Sequence, residues 1–539
     1  MDIDLNQASV AKRGAPASLG VWVLAATILG SSLSFIDGTV VNVALPTIQR
    51  ELNASAGDVQ WVIEAYALFL SALLLAGGAL GDRFGRKRIF VAGTVTFTLA
   101  SAMCGAAPNL GMLVLARAVQ GIGGALLVPG SLAIISAYFD EQRRGQAIGT
   151  WSSFTTITSA LGPVLGGWLV QVASWRWIFF INVPLAALTL AITLRYVPES
   201  RETVSNGPFD LAGAVLCTLG LGAVVFGLVE SSTLGLGSPV VIVMTLGGLA
   251  LLVAFFALEA RQPEPLAPPA LFRSRTFLGA NIYTLLLYGA LGGTLYFLPF
   301  ALQQVQGYTP AEAGAALLPF TLIVFALSRR IGALMPRYGA KPFLVGGAVI
   351  VAGAFALFAL PGIGGSYWTT YFPAVLALSV GMSCVITPLT TSVMGAVPRD
   401  RTGVASGINN SASRTAGLLA VAVLNLVVIM VFSNVLAAQL APLPIPGAMR
   451  ATMQAHSARL LAIAIPPGLA PTTLHAVRHA LAESFMSGFR AAMLIGAALA
   501  LASAGVAAWL VKGAPHAPPA HPAHPAHPLC QDTCGQRLR

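Results

Sequence analysis

Apolar runs of twenty or so residues recur from one end of this sequence to the other, separated by short polar breaks. A helix needs about 20 mostly apolar residues to cross the hydrocarbon core of a bilayer, rising about 1.5 Å per residue. Runs of that length occur at about fourteen places, the first at 19–43, the tenth at 312–334 and the last at 487–511. With 56% hydrophobic and 9% charged residues, the chain has more apolar surface than a soluble core could hide. Barrel strands would show segments of about 10 residues with alternating polarity, and these runs are longer and carry Gly and Pro freely. The fold class is therefore an all-α polytopic membrane protein.

The distribution of Lys and Arg orients it, because positive residues are retained on the cytoplasmic side. With residues 1–18 as a cytoplasmic tail and the first run as an uncleaved span, only Arg50, Arg176, Arg450, Arg459, Arg478 and Arg490 fall on the outer side. Arg117 and Arg414 fall within spans, and the rest of the 30 Lys and Arg are cytoplasmic, so both termini are expected inside. The expected location is the bacterial inner membrane. The net charge of +11 is spread over short loops, which argues against a nucleic-acid partner. Of five cysteines, three lie in spans and two in the tail, so no disulfide framework is suggested.

An internal repeat divides the chain. GALGDRFGRK at 78–87 and GALMPRYGAK at 332–341 match at six of ten positions, each between two spans, at an offset of 254 residues. That offset implies an N-terminal six-helix half at 19–196 and a C-terminal six-helix half at 277–511, with an inserted helix pair at 209–260. Breaker-rich cytoplasmic linkers at 197–208 and 261–276 separate them, an outer loop runs over about 433–486, and residues 512–539 form a cytoplasmic tail. Paired halves place a transport path at their interface.

Four segments carry a resemblance to the major facilitator superfamily, specifically its fourteen-helix branch of drug:proton antiporters. Asp37-Gly-Thr-Val-Val-Asn-Val-Ala-Leu-Pro46 resembles that branch's first-span signature. Gly81-Asp82-Arg83-Phe84-Gly85-Arg86-Lys87-Arg88 is similar to the superfamily loop between spans two and three. Arg117 with Gln120-Gly121-Ile122-Gly123-Gly124 resembles the fourth-span motif linked to proton coupling, and Gly162-Pro163-Val164-Leu165-Gly166-Gly167 the fifth-span motif of antiporters. The resemblance covers about 19–511 and implies a multidrug efflux protein with two six-helix halves and two inserted helices. In the second loop copy Pro336 stands where the first has Asp82, so any role of that carboxylate belongs to the N-terminal half.

Of 19 acidic residues only Asp37 and Glu64 lie well inside spans, and buried ionisable groups in lipid are functional candidates by default. Rise per residue puts Asp37, Glu64 and Arg117 at one level, roughly 9–10 Å below the outer surface. If the helices pack as in the family, one guanidinium serves both carboxylates. Asp37 is expected to bind the proton, Glu64 to act as second acid or substrate contact, and Arg117 to couple them. The bland alternative is a static Asp37–Arg117 pair with Glu64 snorkelling outward. Arg414 sits near the bilayer middle beside Asn409, Asn410, Ser411 and Ser413. It either meets anionic substrate groups or hydrogen-bonds neighbouring carbonyls. Asn42, Tyr66, Gln120, Asn281 and Asn409 complete the possible substrate cavity, and Trp61, Trp151, Tyr283, Tyr288 and Tyr296 are candidate stacking surfaces for flat lipophilic cations.

Gly162, Pro163, Gly166 and Gly167 suit a span that kinks and packs closely, and Gly81, Asp82, Arg83, Gly85, Arg86 and Lys87 suit an inter-helix charge lock that breaks as the halves rock. Tight static packing and plain positive-inside anchoring are the respective alternatives. The Ala-rich stretch with His475, Arg478 and His479 is expected as one short amphipathic helix in the outer loop, and the repeated His-Pro-Ala of the tail reads as low complexity with no metal-site spacing. No GxxxxGK[ST] phosphate loop and no paired nucleophile and base occur, so the expectation is a proton-coupled secondary antiporter, not an enzyme, with no cofactor. Its expected partners are protons, small-molecule substrates and lipid, and a monomer is the simplest state. Export of one dedicated metabolite, peptide, siderophore or antibiotic, or a non-transporting sensor or scaffold, are the rival readings.

Overall fold

The computed structural model describes residues 17–139, 141–200, 210–262, 265, 268–397, 402–463, 465 and 469–512. The expectations for the N-terminal tail, most of the first linker and the His-Pro-Ala tail lie outside the described residues. Fourteen long helices follow the sequence reading. α1 (Ala17–Glu51), α2 (Ala56–Phe84), α3 (Arg86–Ala106), α4 (Leu110–Tyr138), α5 (Glu141–Val172) and α6 (Asn182–Tyr196) form one half. α7 (Leu211–Leu234) and α8 (Pro239–Glu259) follow as the inserted pair. α9 (Arg275–Phe300), α10 (Leu318–Tyr338), α11 (Lys341–Phe358), α12 (Phe372–Gly395), α13 (Thr402–Leu440) and α14 (Pro471–Leu510) form the other half. Thirteen helical segments are long and apolar enough to cross a membrane, and α5 holds a shorter apolar stretch, Ile157–Val172.

The chain passes back and forth, so the helix ends define two faces. One carries Arg83, Arg86, Lys87, Arg88, Arg195, Arg337 and Lys341 and is here the basic face; the turns at 52–55, 107–109 and 360–366 mark the opposite face. α7 of the inserted pair packs against both halves, its Leu221, Val225 and Val229 burying Leu68 and Ala72 of α2 and Leu418 and Ala422 of α13. α8 lies outside α7, with Val243, Leu246 and Val253 exposed as a lipid-facing helix would have them.

Three boundaries differ from the sequence reading. The outer loop expected over 433–486 is shorter, because α13 continues to Leu440 and α14 begins at Pro471. The expected short helix with His475, Arg478 and His479 is the first part of α14, whose Val477, Leu481 and Phe485 are buried. A long helix continues past the bilayer when its apolar stripe still has a partner to bury it. The tenth span is broken near its start, with a capped short helix over Pro310–Ala315 before α10.

The repeat is structural. Gly85 between α2 and α3 has φ +111° and Gly339 between α10 and α11 has φ +75°, both in regions that residues with a Cβ rarely adopt. Changing either to Ala is expected to cost about 1–3 kcal/mol. The loss should be larger at Gly85, where a new Cβ would sit 2.8 Å from Glu199 Oε1. Thermal unfolding of the detergent-purified variants checks this, and an unchanged midpoint at Gly85 would refute it.

Candidate functional site

The polar core of the first half is built on one ion pair. Arg117 is 1% exposed and Asp37 fully buried, and Arg117 Nη1 donates to Asp37 Oδ2. The guanidinium also donates from Nε to the Val62 carbonyl at 2.8 Å and from Nη1 to Gln120 Oε1 at 2.7 Å. Its flat face covers the Tyr66 ring at 4.2 Å. Asp37 Oδ1 accepts from Gln120 Nε2 at 2.8 Å and from Asn182 Nδ2 at 3.4 Å, and Asn182 donates on to Ser101 Oγ. Residues of α1, α2, α3, α4 and α6 therefore converge on one buried charge pair. Burying two charges costs several kcal/mol each unless their remaining hydrogen-bonding capacity is met, which the amides of Gln120 and Asn182 and the Val62 carbonyl do.

Small residues let these helices approach. Gly121 lies against the Tyr66 carbonyl of α2 and Gly123 against the Phe97 backbone of α3, so α4 touches both neighbours with no Cβ between. α5 joins through α1: Gly162 faces Thr39, Gly166 faces Val40, and Thr39 Oγ1 donates to the Ser159 carbonyl at 3.0 Å.

Glu64 is placed differently from expectation. It does not share the Arg117 guanidinium and does not snorkel; it is fully buried where the halves meet. Glu64 Oε1 accepts from Gln60 Nε2 at 3.1 Å, and Gln60 Oε1 accepts from Asn425 Nδ2 of α13 at 2.5 Å. Among the described residues, Glu64 Oε2, Asn425 Oδ1 and the Tyr296 hydroxyl of α9 have no hydrogen-bond partner. Depth alone put Glu64 level with Arg117, but Arg117 reaches the α2 backbone at Val62, and Glu64 points toward the second half.

The halves are joined on the opposite face. Gly167 of α5 lies against the Pro310 carbonyl, and Gly314 lies against the Pro163 carbonyl, each without room for a Cβ. Gln303 Nε2 donates to the Val43 carbonyl at 2.8 Å, and Gln304 Nε2 to Gln49 Oε1 at 3.4 Å. A cleft of about 100 Å³ lies nearer the basic face, lined by Tyr288, Thr390, Ser406, Asn409, Asn410 and Ser413 among others. Arg414 lies one residue further along α13, half-buried, its guanidinium 5.9 Å from the Phe35 ring of α1.

The remaining candidates divide. Asn409 donates to Thr284 at 2.7 Å and to Asn281 at 3.3 Å, tying α13 to α9 within one half. Asn42 donates only to the Gly38 carbonyl, one turn back. Of the aromatic set, Tyr288 lines the cleft and Trp151 packs on Phe35 while donating to Ser31. Tyr283 is instead a core residue donating to the Leu344 carbonyl, and Trp61 packs on Phe226 of the inserted pair. At the basic face Asp82 pairs with Arg86 at 2.7 Å, and Arg86 N donates to the Ser200 carbonyl. Glu199 accepts from the backbone of Lys87 and Arg88. These contacts tie the α2–α3 turn to the chain beyond α6, within one half. Gly81 packs near the start of α3.

Two halves of membrane-spanning helices that meet closely at one face, with a charge pair buried between helices, are the architecture of a multi-pass membrane transporter. Residues 27–421 match the Major Facilitator Superfamily, and the chain belongs to that family. It is 37% identical over 410 residues to the puromycin resistance protein pur8 of Streptomyces alboniger, covering 75% of this chain and 81% of that protein. Over 502 residues it is 33% identical to the tetracenomycin C resistance and export protein of Streptomyces glaucescens, covering 91% and 92%. Among solved structures it is similar in fold to a bacterial homologue of the human lysosomal transporter Spinster, in an inward-facing and unoccupied conformation. That likeness has a TM-score of 0.61 at 18% identity and covers 91% of this chain and 98% of that one.

Removing Arg117 would leave a buried, uncompensated carboxylate. Arg117→Ala is expected to destabilise the protein by about 3–5 kcal/mol, and adding Asp37→Asn should recover much of the loss. Thermal unfolding of the two variants measures this; equal losses would refute it.

Proposed function

We propose that the protein exports small lipophilic organic compounds from the cell in exchange for protons, by alternating access between its halves. The observation that carries the reading is the Asp37–Arg117 pair, a carboxylate held deep in the membrane by a guanidinium with a second set of acceptors. When Asp37 takes a proton its attraction for Arg117 falls, and the guanidinium still has the Val62 carbonyl, Gln120 and the Tyr66 ring to hold it. Protonation thus shifts helices α1, α2 and α4 relative to one another without exposing a bare cation.

Glu64 supplies a second proton-binding group at the seam between the halves. With one donor and one unpartnered oxygen, it fits the closed seam better neutral than charged, so loss of its proton favours parting of the halves there. The backbone contacts of Gly167 and Gly314 seal the same end. The basic face is the cytoplasmic side on this reading, both termini lie there, and the membrane is the bacterial inner membrane. The relative named for tetracenomycin C resistance and export, matched over nearly its whole length, favours one second reading: export of a single dedicated antibiotic.

In inverted vesicles, wild type is expected to move a lipophilic dye together with protons. Asp37→Asn should lose both by at least tenfold at matched insertion, and Glu64→Gln should lose proton movement. Wild-type exchange by Asp37→Asn would overturn the proposal. Gly167→Leu should open a leak to small solutes across the closed face, read as faster collapse of an imposed pH gradient; an unchanged rate would remove Gly167 from the seal.

A further inference from the structure

Apart from the Phe35 ring, Arg414 takes part in none of the contacts described above, and its surroundings are unusual for a cation at this depth. It lies twelve residues beyond the start of α13, and its guanidinium reaches across to the Phe35 ring of the other half. Among the described residues it has no carboxylate and no carbonyl partner. The two acids inside the membrane are engaged elsewhere: Asp37 with Arg117, Gln120 and Asn182, and Glu64 with Gln60. Asn410, one turn before Arg414 on the same helix face, and Ser413 line the cleft, and Arg414 follows them on α13. The other lining residues are hydroxyls, amides and apolar groups without a charge. Phe35, the ring beside the guanidinium, packs edge-on against Trp151 with ring centroids 6.4 Å apart.

A cation in a water-poor site without a counterion is costly, and a bound anion offsets that cost with charge-assisted hydrogen bonds. We infer that Arg414 is the anion-binding group of the transport cavity, and that the exported compounds carry an acidic group, a carboxylate or an ionised phenol, on a flat lipophilic body. The acidic group pairs with the guanidinium while the body lies against Phe35 and Trp151. A cationic compound in the same place is repelled; at about 6 Å and an effective dielectric of about 20 the penalty corresponds to roughly a hundredfold in affinity. Phe35 and Trp151 beside Arg414 therefore serve flat anions and not lipophilic cations. Charge balance follows: an anion leaving and one proton entering move two charges in the same electrical sense, so exchange responds to membrane potential even without a pH gradient.

This inference rests on the transport reading for its physiological meaning, but its test does not need transport. Binding of fluorescein, an organic anion, and of ethidium, a cation, is measured by fluorescence anisotropy on the purified full-length protein without any gradient. Wild type is expected to bind fluorescein at least tenfold more tightly than ethidium. Arg414→Gln should lose at least tenfold for fluorescein and gain for ethidium, and Arg414→Lys should keep most of the anion preference. Equal fluorescein binding by Arg414→Gln, or tighter ethidium binding by wild type, overturns the inference. If Arg414→Gln does not fold, the wild-type preference together with Arg414→Lys decides. Fluorescein binding through Arg414 with no export from vesicles would count against the exporter reading alone.

Discussion

The Asp37–Arg117 pair is the constraint on which the N-terminal half depends. Two charges this far from water are tolerated only with every remaining donor and acceptor occupied, and satisfying them fixes where five helices can stand. Gln120 is one turn along α4 from Arg117 and completes the acceptor set, while Asn182 brings in α6 and, through Ser101, α3. The glycines around this centre follow from the same demand, since Arg117 reaches the Val62 carbonyl only if α4 lies nearly in contact with α2. The sixth helix, α5, is outside the network and is held by close packing on α1, which leaves it free to face the other half.

Much of this was legible in the sequence, for identifiable reasons. Long apolar runs have one structural meaning in a bilayer, so the helices, the repeat and its two glycine turns could be read directly. The family resemblance, stated from four short motifs, is borne out by the match over residues 27–421. Asp37 and Arg117 stood out because charge in an apolar run is rare. Asn182 was missed because it sits at the first turn of α6, where an asparagine reads as a loop residue. Glu64 was legible as a buried acid but not in its direction, because its partners, Gln60 beside it and Asn425 on α13, are brought together only by the meeting of the halves. Tyr283 and Trp61 are large aromatics with two possible faces each, and residue type cannot choose between core and cavity.

The two sites differ in what they hold constant. At Asp37 the surrounding amides and carbonyl all belong to one half. The Glu64 cluster is divided between α2, α9 and α13, so any relative movement of the halves takes its members apart. At the basic face Asp82, Arg86 and Glu199 tie the α2–α3 turn to the chain beyond α6 in the first half.

On the face opposite the basic one, the halves meet through main chain, with the Pro163 and Pro310 carbonyls seated on Gly314 and Gly167. The side chains lining the cleft are on other parts of the molecule. A contact built this way does not depend on the side chains that line the cleft. If those side chains select cargo, as proposed, substitutions among them can alter the range of compounds accepted while the main-chain seal stays as it is.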